Sequence, residues 1–376
     1  MKKILIFSSG HTGAGHQSIS DALMEQFSGM QDVEAQTVDG FEVLGCTGLF
    51  TAGLYGFETR HVRAVYNAVW KYTMVHPLRF SLTARLYGRR IMECIRLYRP
   101  DLILTVHSLF NTLLTVVLKR HGLNIPVVVL QADLVNIHSS WCNPDAYRTL
   151  CPTREAYESS IRQGMLREKL TVMGFPVRSR FCDAAGRAEG KNRDVSHPPR
   201  CLLMSGAEGC GRLKAYAEAI LDHTDAVLTI VCGRNRKLQT RLRKTLGAGY
   251  GGRVNVLGFV PDMERLMLGS DLLISRGSPN TLLEAIALKL PVLLTGPVPE
   301  QEKGNAQWMQ ERGFGVLCGS PAEAPRMIRS LLDHDAARLR EIRAAQQAFR
   351  CSDSARKIAG YVAKLAHSDA PVNSGP

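Results

Sequence analysis

Short apolar runs alternate with segments of helical periodicity through both halves of the chain, a pattern typical of parallel β-sheets covered by helices. The first half predicts strands over residues 4–7, 102–106, 127–130 and 170–172. The second half predicts strands over residues 201–204, 227–231, 254–257, 272–274, 292–294 and 316–318. The expected fold is therefore α/β, with two Rossmann-like domains.

The domain boundaries are predicted from residues 183–199, the longest polar and loosely patterned segment in the interior of the chain. We interpret this segment as a linker between an N-terminal domain, residues 1–182, and a C-terminal domain, residues 200–345. A helix over residues 346–367 is expected to pack back on the N-terminal domain, and residues 368–376 are expected to form a frayed tail.

A glycine-rich loop, GHTGAGHQS, follows the first predicted strand and opens a helix. Gly13 and Gly15 would let backbone amides approach a ligand, and the start of the helix favours an anion or an oxyanion. A tight strand-to-helix turn without a ligand explains the glycines equally well. His16 favours the ligand site, because an imidazole at the carboxyl end of a strand could orient or deprotonate an acceptor hydroxyl.

A second glycine-rich loop opens the C-terminal domain, where Gly206 begins the spacing GxxGxG. This spacing is a weak signal for a dinucleotide and a better one for any diphosphate. The next predicted strand ends on Gly233, Arg234 and Asn235 instead of the acidic residue that NAD binding requires. Arg234 is therefore predicted to lie beside a phosphate, and a dehydrogenase is disfavoured.

Two polar loops between residues 271 and 316 follow consecutive predicted strands. The first opens a helix with groups that suit a diphosphate and, at Glu284, both hydroxyls of a ribose. The second could read sugar hydroxyls through Gln301 and Asn305, with Lys303 beside the phosphates. A solvated loop explains either one alone, but the two together favour a ligand site. The predicted donor-site residues of these loops are Ser278, Asn280, Thr281, Glu284, Gln301, Glu302, Lys303 and Asn305.

Several motifs together resemble one known family. In chain order they are GHTGAGH, QADLVNIHSSWCNPDAY, TVMGFPVRSRF, LLMSGAEGCG, VCGRN, LGFV, SRGSPNTLLEA and GPVPEQEKGNAQW. They resemble the glycolipid glycosyltransferases of the monogalactosyldiacylglycerol synthase and processive diacylglycerol glucosyltransferase family, across nearly the whole chain. The resemblance implies a GT-B fold, in which two Rossmann-like domains face each other across a cleft. It also implies inversion at the anomeric carbon without an essential metal or other cofactor.

The resemblance further implies a UDP-sugar donor in the second domain. Glu284 would hold the ribose, Phe259 would lie by the uracil, Gly206 and residues 278–281 would line the diphosphate, and Gln301 and Asn305 would hold the sugar. Helix N-termini with Lys303 and Arg234 would stabilise the departing UDP. Ser278, Pro279 and Asn280 stand where the family commonly shows glycine or proline-glycine, which leaves the donor sugar open.

A lipid acceptor is implied for the first domain, where His16 would face it. Asp133, His138 and Trp141 lie in a family segment that borders the cleft, so we include them as candidate site residues. His16 or Asp133 would deprotonate the acceptor hydroxyl. His11 and Gln17 depart from the family pattern beside the first loop, which leaves the acceptor open as well.

The positive charge is concentrated in one region. Lysine and arginine number 47 against 34 aspartates and glutamates, a net charge of +13, which leaves an anionic membrane, a phosphorylated metabolite and nucleic acid open as partners. Residues 57–100 alone carry +7 and are rich in aromatic residues. We predict an anionic membrane contact, most of it within residues 41–72, that includes Arg60, Arg63, Trp70 and Lys71. A solvated basic face is the alternative for the helix over residues 80–99, and both descriptions can hold. Nucleic acid is the least favoured partner, because no recognisable nucleic-acid-binding module accompanies the charge.

The expected protein is cytoplasmic and peripheral on the inner face of the membrane. No apolar run reaches the roughly 18–20 residues that span a bilayer, no export signal opens the chain, and the ten cysteines lack a CxxC pair. The predicted function is an inverting transfer of a hexose from a UDP-sugar to a lipid hydroxyl, with diacylglycerol as the expected acceptor. A transferase with another acceptor, or an isomerase of the UDP-N-acetylglucosamine 2-epimerase type, is the alternative. Asp333 and Asp335, the sole Asp-x-Asp pair, are read as a surface turn and not as a metal site.

Overall fold

The chain divides into two compact units, each with its own parallel sheet. The computed structural model describes residues 1–11, 14–50, 63–75, 80–188, 198–206, 212–247, 249–295, 302–349 and 351–368. The first unit comprises Met1–Arg178, Pro299–Gln301 and Asp353–Pro376, and the second comprises Ser179–Val298 and Glu302–Ser352. Each contains a six-stranded sheet, so the prediction of an α/β protein with two Rossmann-like domains is confirmed.

The first sheet has the strand order β2-β1-β3-β4-β5-β6, and every neighbouring pair is parallel. Its strands are β1 (Lys2–Ser8), β2 (Val33–Asp39), β3 (Leu102–Thr105), β4 (Val127–Leu130), β5 (Arg148–Cys151) and β6 (Leu170–Val172). The central strands β3 and β4 are buried at every position, which explains why they read as unbroken apolar runs.

Two strands of this sheet, β2 and β5, are missing from the predicted set. β2 is an edge strand in which Glu34 and Gln36 are exposed, so its sequence alternates where a buried parallel strand is continuously apolar. β5 begins with Arg148 and the buried polar Thr149, which leaves two apolar residues in a strand of four. Neither segment carries the apolar run on which the prediction rests.

Helices of the first unit follow its strands and cover the sheet. They include α1 (Ala14–Phe27), α2 (Gly40–Leu44), α3 (Arg63–Val75), α4 (Phe80–Tyr98), α5 (Ser108–Arg120) and α6 (Arg154–Arg162). Helices α4 and α5 lie together over one apolar cluster, in which Phe7 of β1 meets Ile91 and Phe110, all fully buried. This packing fixes α4 on the sheet through its apolar face.

The second sheet has the order β12-β11-β10-β7-β8-β9 and is also fully parallel. Its strands are β7 (Arg200–Met204), β8 (Val227–Val231), β9 (Val254–Leu257), β10 (Leu272–Ser275), β11 (Val292–Thr295) and β12 (Gly315–Cys318). All six were predicted to within one residue. The helices of this unit are α7 (Ser179–Ala188), α8 (Leu213–His223), α9 (Arg236–Leu246), α10 (Met263–Leu268), α11 (Pro279–Ala287), α12 (Lys303–Glu311) and α13 (Ala324–Ala348).

The C-terminal helix α14 (Ser354–His367) belongs to the first unit, where it packs on α1 and β1. Gly174 marks the close approach: its φ is +86°, and a Cβ at this position would lie 2.2 Å from the Ser354 hydroxyl oxygen. The predicted helix over 346–367 is in fact two helices, because α13 continues to Ala348 before α14 begins.

The boundary between the units lies at 178/179, four residues before the predicted one. The predicted linker begins inside α7, which belongs to the second unit, and residues 189–197 and 369–376 lie outside the described residues. No helix among the described segments combines the length and the apolar character needed to cross a bilayer.

Candidate active site

The predicted catalytic residues of the first unit come together at the carboxyl edge of its sheet. β1 ends at Ser8, β3 at Thr105 and β4 at Leu130, and the segments that follow these strands carry His16, His107 and Asp133. Open parallel sheets bind their ligands at this edge. The loop connections therefore bring residues that are distant in sequence into one polar cluster.

His16 lies in the first turn of α1, with its Nδ1 2.7 Å from the carbonyl oxygen of Val106. Burial lowers its pKa to about 4, while the Val106 carbonyl and the negative charge of Asp39 act in the opposite direction. The imidazole is thus neutral at neutral pH. Because a carbonyl can only accept, Nδ1 carries the proton, and Nε2 is left with a lone pair. This is the protonation state that a general base requires.

His107 packs against His16, with 4.5 Å between the ring centroids. It also caps α5, because its Nδ1 accepts a hydrogen bond from the Leu109 N–H at 3.2 Å. Burial, together with the adjacent His16, holds the pKa of His107 well below its ordinary range. The structure shows a capping histidine that forms one wall around the candidate base.

Asp133 is buried at the same edge and accepts the indole N–H of Trp141 at 2.7 Å. Trp141 is itself 2% exposed, and its ring lies 6.4 Å from that of His16. The structure therefore brings His16, Asp133 and Trp141 together, as the sequence predicts. Trp141, which we expected at the acceptor, holds the Asp133 carboxylate.

Asp39 is a residue of this site that the sequence analysis missed. Its Oδ1 accepts the N–H groups of Phe41 and Glu42, which caps α2, and its Oδ2 accepts the Gly10 N–H at 2.6 Å. One carboxylate thus braces the glycine-rich loop from the neighbouring strand. The signal was an aspartate directly before Gly-Phe-Glu, a helix N-cap pattern. Gly15 lies in α1 beside His16, and Gly13 lies outside the described residues.

Metal binding was not expected, and one group among the described residues has suitable atoms. His11, Asp39 and Glu42 place one possible ligand atom each within 4.8 Å of one another. The oxygens of Asp39 already accept three backbone N–H groups, which gives the cluster a structural explanation. Asp333 and Asp335 lie within α13 instead of at its end, and Asp335 pairs with Arg340.

His138 joins the segment after β4 to α3 in the structure. Its Nδ1 accepts the Ser140 N–H, and its Nε2 lies 3.0 Å from the Thr73 hydroxyl and 3.2 Å from the Trp70 carbonyl. Trp70 packs on the His138 ring and is half-buried, whereas Lys71 is exposed. Burial lowers the pKa of His138. Of the other predicted membrane residues, Arg60 and the side chain of Arg63 lie outside the described residues.

In the second unit, Gly206, Arg234 and Phe259 follow β7, β8 and β9 at the carboxyl edge of that sheet. Gly206 has a φ of +73°, which favours glycine, and a Cβ there would lie 3.9 Å from the guanidinium of Arg276. The guanidinium of Arg234 lies 5.3 Å from the Phe259 ring centroid, and Phe259 is 57% exposed. A cation and an open aromatic face suit a nucleotide base and its phosphates.

The turn from β10 into α11 has the hydroxyl and carboxylate groups that the sequence predicts. Ser278 precedes the helix, Pro279 occupies its first turn, and the Ser278 hydroxyl donates to the Thr281 hydroxyl at 3.0 Å. Asn280 is half-buried beside them, and Glu284 is buried one turn further along. The start of α11 thus presents small polar groups at a helix N-terminus, where an anion is stabilised.

Asn305 and Glu302 brace this turn from α12. Asn305 is 2% exposed and donates from Nδ2 to the Gly277 carbonyl at 2.7 Å, while its buried Oδ1 accepts no hydrogen bond from the described residues. Glu302 lies 3.6 Å from Arg276, a cation that the sequence analysis did not single out. Lys303 begins α12, and Gln301 lies outside the described residues.

In comparisons with known proteins, different families match the N-terminal and the C-terminal part of the chain. Residues 16–177 match the family described as monogalactosyldiacylglycerol (MGDG) synthase, and residues 209–334 match the family described as glycosyl transferases group 1. A probable monogalactosyldiacylglycerol synthase 2 of Oryza sativa subsp. japonica is 29% identical over 351 residues, which cover 87% of this chain and 73% of the relative.

The fold itself is shared with solved structures at lower identity. MurG of Acinetobacter baumannii superposes with a TM-score of 0.64 at 14% identity, covering 97% of this chain and 100% of the other. A UDP-GlcNAc 2-epimerase from Neisseria meningitidis bound to UDP-GlcNAc gives 0.62 at 13% identity, covering 97% of this chain and 100% of that one. These similarities show the architecture alone.

Proposed function

Because the chain belongs to the monogalactosyldiacylglycerol synthase family of GT-B glycosyltransferases, we propose that it transfers a hexose from a UDP-sugar to a lipid hydroxyl. Diacylglycerol is the proposed acceptor, and the anomeric carbon is inverted. The observation that supports this most is the neutral His16, fixed by Val106 at the ligand-binding edge of the first sheet. An inverting displacement needs one base for the acceptor hydroxyl, and His16 has the free nitrogen for it.

In the proposed reaction the lipid hydroxyl donates a hydrogen bond to Nε2 of His16. The hydroxyl oxygen attacks the anomeric carbon, its proton passes to Nε2, and the bond between that carbon and the UDP oxygen breaks with the electron pair leaving on UDP. The Val106 carbonyl, which accepts from Nδ1, then stabilises the imidazolium, and the charge of Asp39 acts in the same direction. Both groups raise the pKa of His16 and so offset part of the effect of burial.

Asp133 is the second candidate base. Its Oδ2 accepts the Trp141 indole N–H, so this carboxylate is engaged in a contact that orders the site. We assign the first proton transfer to His16, and to Asp133 the roles of holding Trp141 and adding negative charge near the imidazolium. The two assignments differ in their kinetics, because loss of a positioning contact affects the acceptor KM as well as kcat.

The UDP-sugar is proposed to bind the second unit. Phe259 supplies a face for the uracil, Glu284 an acceptor for the ribose, and the start of α11 an N-terminus for the diphosphate. Arg234 and Lys303 would balance the charge that develops on the leaving UDP. The buried Oδ1 of Asn305 is an acceptor for a sugar hydroxyl.

The proposed location is the cytoplasmic face of a membrane, with the protein bound peripherally. The nine cysteines among the described residues are all free thiols, as expected in a reducing compartment. Burial raises the pKa of Cys151, Cys201 and Cys351 to about 12, so these thiols are buried apolar groups and not reactive ones.

The test of the transferase is an incubation with diacylglycerol-containing vesicles and labelled UDP-glucose, UDP-galactose or UDP-N-acetylglucosamine. We expect label in the lipid phase with one of them, and His16→Asn should lower kcat by about 10²- to 10⁴-fold with the donor KM unchanged. His223→Asn, an exposed histidine of the second unit, is the matched control. Full activity of His16→Asn would refute the assigned base.

The same incubation in deuterated water separates the isomerase alternative. A UDP-N-acetylglucosamine 2-epimerase exchanges the proton at C2 of the sugar, whereas a transferase does not. Deuterium at C2 without labelled lipid from any donor would replace our proposal by that alternative.

A further inference from the structure

A cationic groove opens between α4 and α5, away from the residues assigned to catalysis. It encloses a cavity of about 330 Å³. Gly88 and Met92 form its buried floor, and the exposed side chains of Arg85, Arg89, Arg96 and Arg120 stand around it. We call this feature the arginine groove.

The arginine groove has more positive than negative charge at its rim. Arg89 forms an ion pair with Glu93 at 3.0 Å. Within the described parts of the chain, no carboxylate oxygen comes within 4.0 Å of Arg85, Arg96 or Arg120. Three guanidinium groups around one cavity are therefore available to an external anion, and guanidinium groups bind phosphate oxygens in a bidentate manner.

A stripe of exposed leucines runs beside these arginines on α4. Leu82, Leu86 and Leu97 are 73%, 67% and 76% exposed, although α4 already buries its opposite face in the core. At 100° per residue the leucines fall within an arc of about 60°, next to the arc of Arg85, Arg89 and Arg96. Single exposed leucines are ordinary, but an apolar stripe bordered by arginines is the arrangement of a helix at a membrane interface.

We propose that α4 is a docking surface for an anionic phospholipid membrane. Leu82, Leu86 and Leu97 enter the boundary between headgroups and acyl chains, and the arginine groove holds lipid phosphates. The inference rests on the proposed function in one respect, since a lipid acceptor makes a membrane encounter necessary. It places that encounter on α4 instead of mainly on residues 41–72. A soluble phosphate ester would need the arginines but not the leucines, so the leucine stripe favours the membrane.

The test is flotation of the full-length protein with vesicles of phosphatidylcholine, with or without anionic phosphatidylserine. One variant combines Arg85→Gln, Arg96→Gln and Arg120→Gln, and a second combines Leu82→Ser, Leu86→Ser and Leu97→Ser. The matched control combines Arg236→Gln, Lys237→Gln and Arg241→Gln on α9, which removes the same charge from exposed positions of the second unit. Glutamine retains helix propensity, so α4, α5 and α9 should persist.

We expect the groove variant to lose about 100-fold in partitioning to anionic vesicles, since each basic residue near the headgroups contributes about five-fold. The leucine variant should lose affinity for both vesicle types, and the control should keep most of its binding. Equal losses in groove variant and control would overturn the proposal.

Two further measurements test whether the arginine groove binds a soluble phosphate or a nucleic acid instead. Thermal stabilisation of the wild type by inorganic phosphate, lost in the groove variant while vesicle binding is kept, would replace the membrane by a soluble anion. A random oligonucleotide bound through the same arginines, without vesicle binding, would also overturn the proposal. Sugar transfer to diacylglycerol dispersed in neutral detergent is measured separately: its absence in the wild type refutes the proposed function, whereas vesicle binding alone decides the docking surface.

Discussion

Acidification should destabilise the first unit, because it buries imidazoles in their neutral form. Burial lowers the pKa of His16 from 6.5 to about 4, so between these values the unfolded chain binds a proton that the folded chain does not. The contribution of neutral His16 to the free energy of unfolding is then fully present above pH 6.5 and declines as the pH falls towards 4. His107, whose pKa is also held low by burial, contributes in the same direction.

The size of this loss in the free energy of unfolding follows from the pKa values of His16 in the unfolded and the folded chain. Between about pH 7.5 and about pH 5, the linkage relation gives a loss of about 2 kcal/mol from this residue alone. Urea unfolding, monitored by tryptophan fluorescence at each pH, measures this loss of stability. Trp308→Phe removes the tryptophan of the second unit, so that Trp70 and Trp141 report only on the first.

The decisive variant is His16→Gln, which has no titrating ring. It should flatten the pH dependence by about 2 kcal/mol relative to the parent, whatever its stability at neutral pH. His223→Gln controls for the loss of an exposed imidazole. An unchanged slope in His16→Gln would show that His16 has the same pKa in the folded and unfolded chain, which would refute the effect of burial on this pKa.

Other changes have equally defined outcomes. Asp39→Ala removes the acceptor of three backbone N–H groups and should lower the free energy of unfolding by about 2 kcal/mol, measured by urea titration; an unchanged value would refute the bracing role. Phe259→Ala should raise the donor KM about tenfold with kcat unchanged in steady-state kinetics, and an unchanged KM would exclude stacking on the uracil. EDTA treatment should leave transferase activity intact; loss that Mn²⁺ restores would disprove a metal-free reaction. Trp141→Phe should lower kcat and weaken acceptor binding, because Asp133 loses its indole partner.

The parts of the fold that the sequence predicts are those with a continuous local pattern. Buried parallel strands such as β3, β4 and β10 are apolar at nearly every position, and glycine-rich loops follow the first strand of each sheet. Edge strand β2 carries exposed polar residues and was missed. A continuous apolar run, and not the position of a strand in the sheet, therefore decides what the sequence predicts, because the edge strands β6, β9 and β12 were predicted and the interior strand β5 was missed.

The placement of candidate site residues was predictable where it follows from the topology of the sheet. His16 and Asp133 reach one edge of the sheet as the topology requires. The contacts of Asp39 with Gly10, and of His138 with Trp70, join segments far apart in the chain, and nothing in either segment alone indicates its partner. Trp70 illustrates the limit: an aromatic residue in a basic segment suggested a membrane contact, and the structure packs it half-buried on His138.

The position of α14 has a consequence for the order in which the protein can fold. Ile358, Ala359 and Val362 of α14 are fully buried in the first unit, yet they follow the whole of the second unit in the chain. The second unit ends at Ser352, so its chain is complete before that of the first. Chains fold from the N-terminus as they emerge from the ribosome. The first unit therefore cannot be completed until α14 has left the ribosome, and the apolar surface of α1 and β1 that α14 covers stays exposed until then.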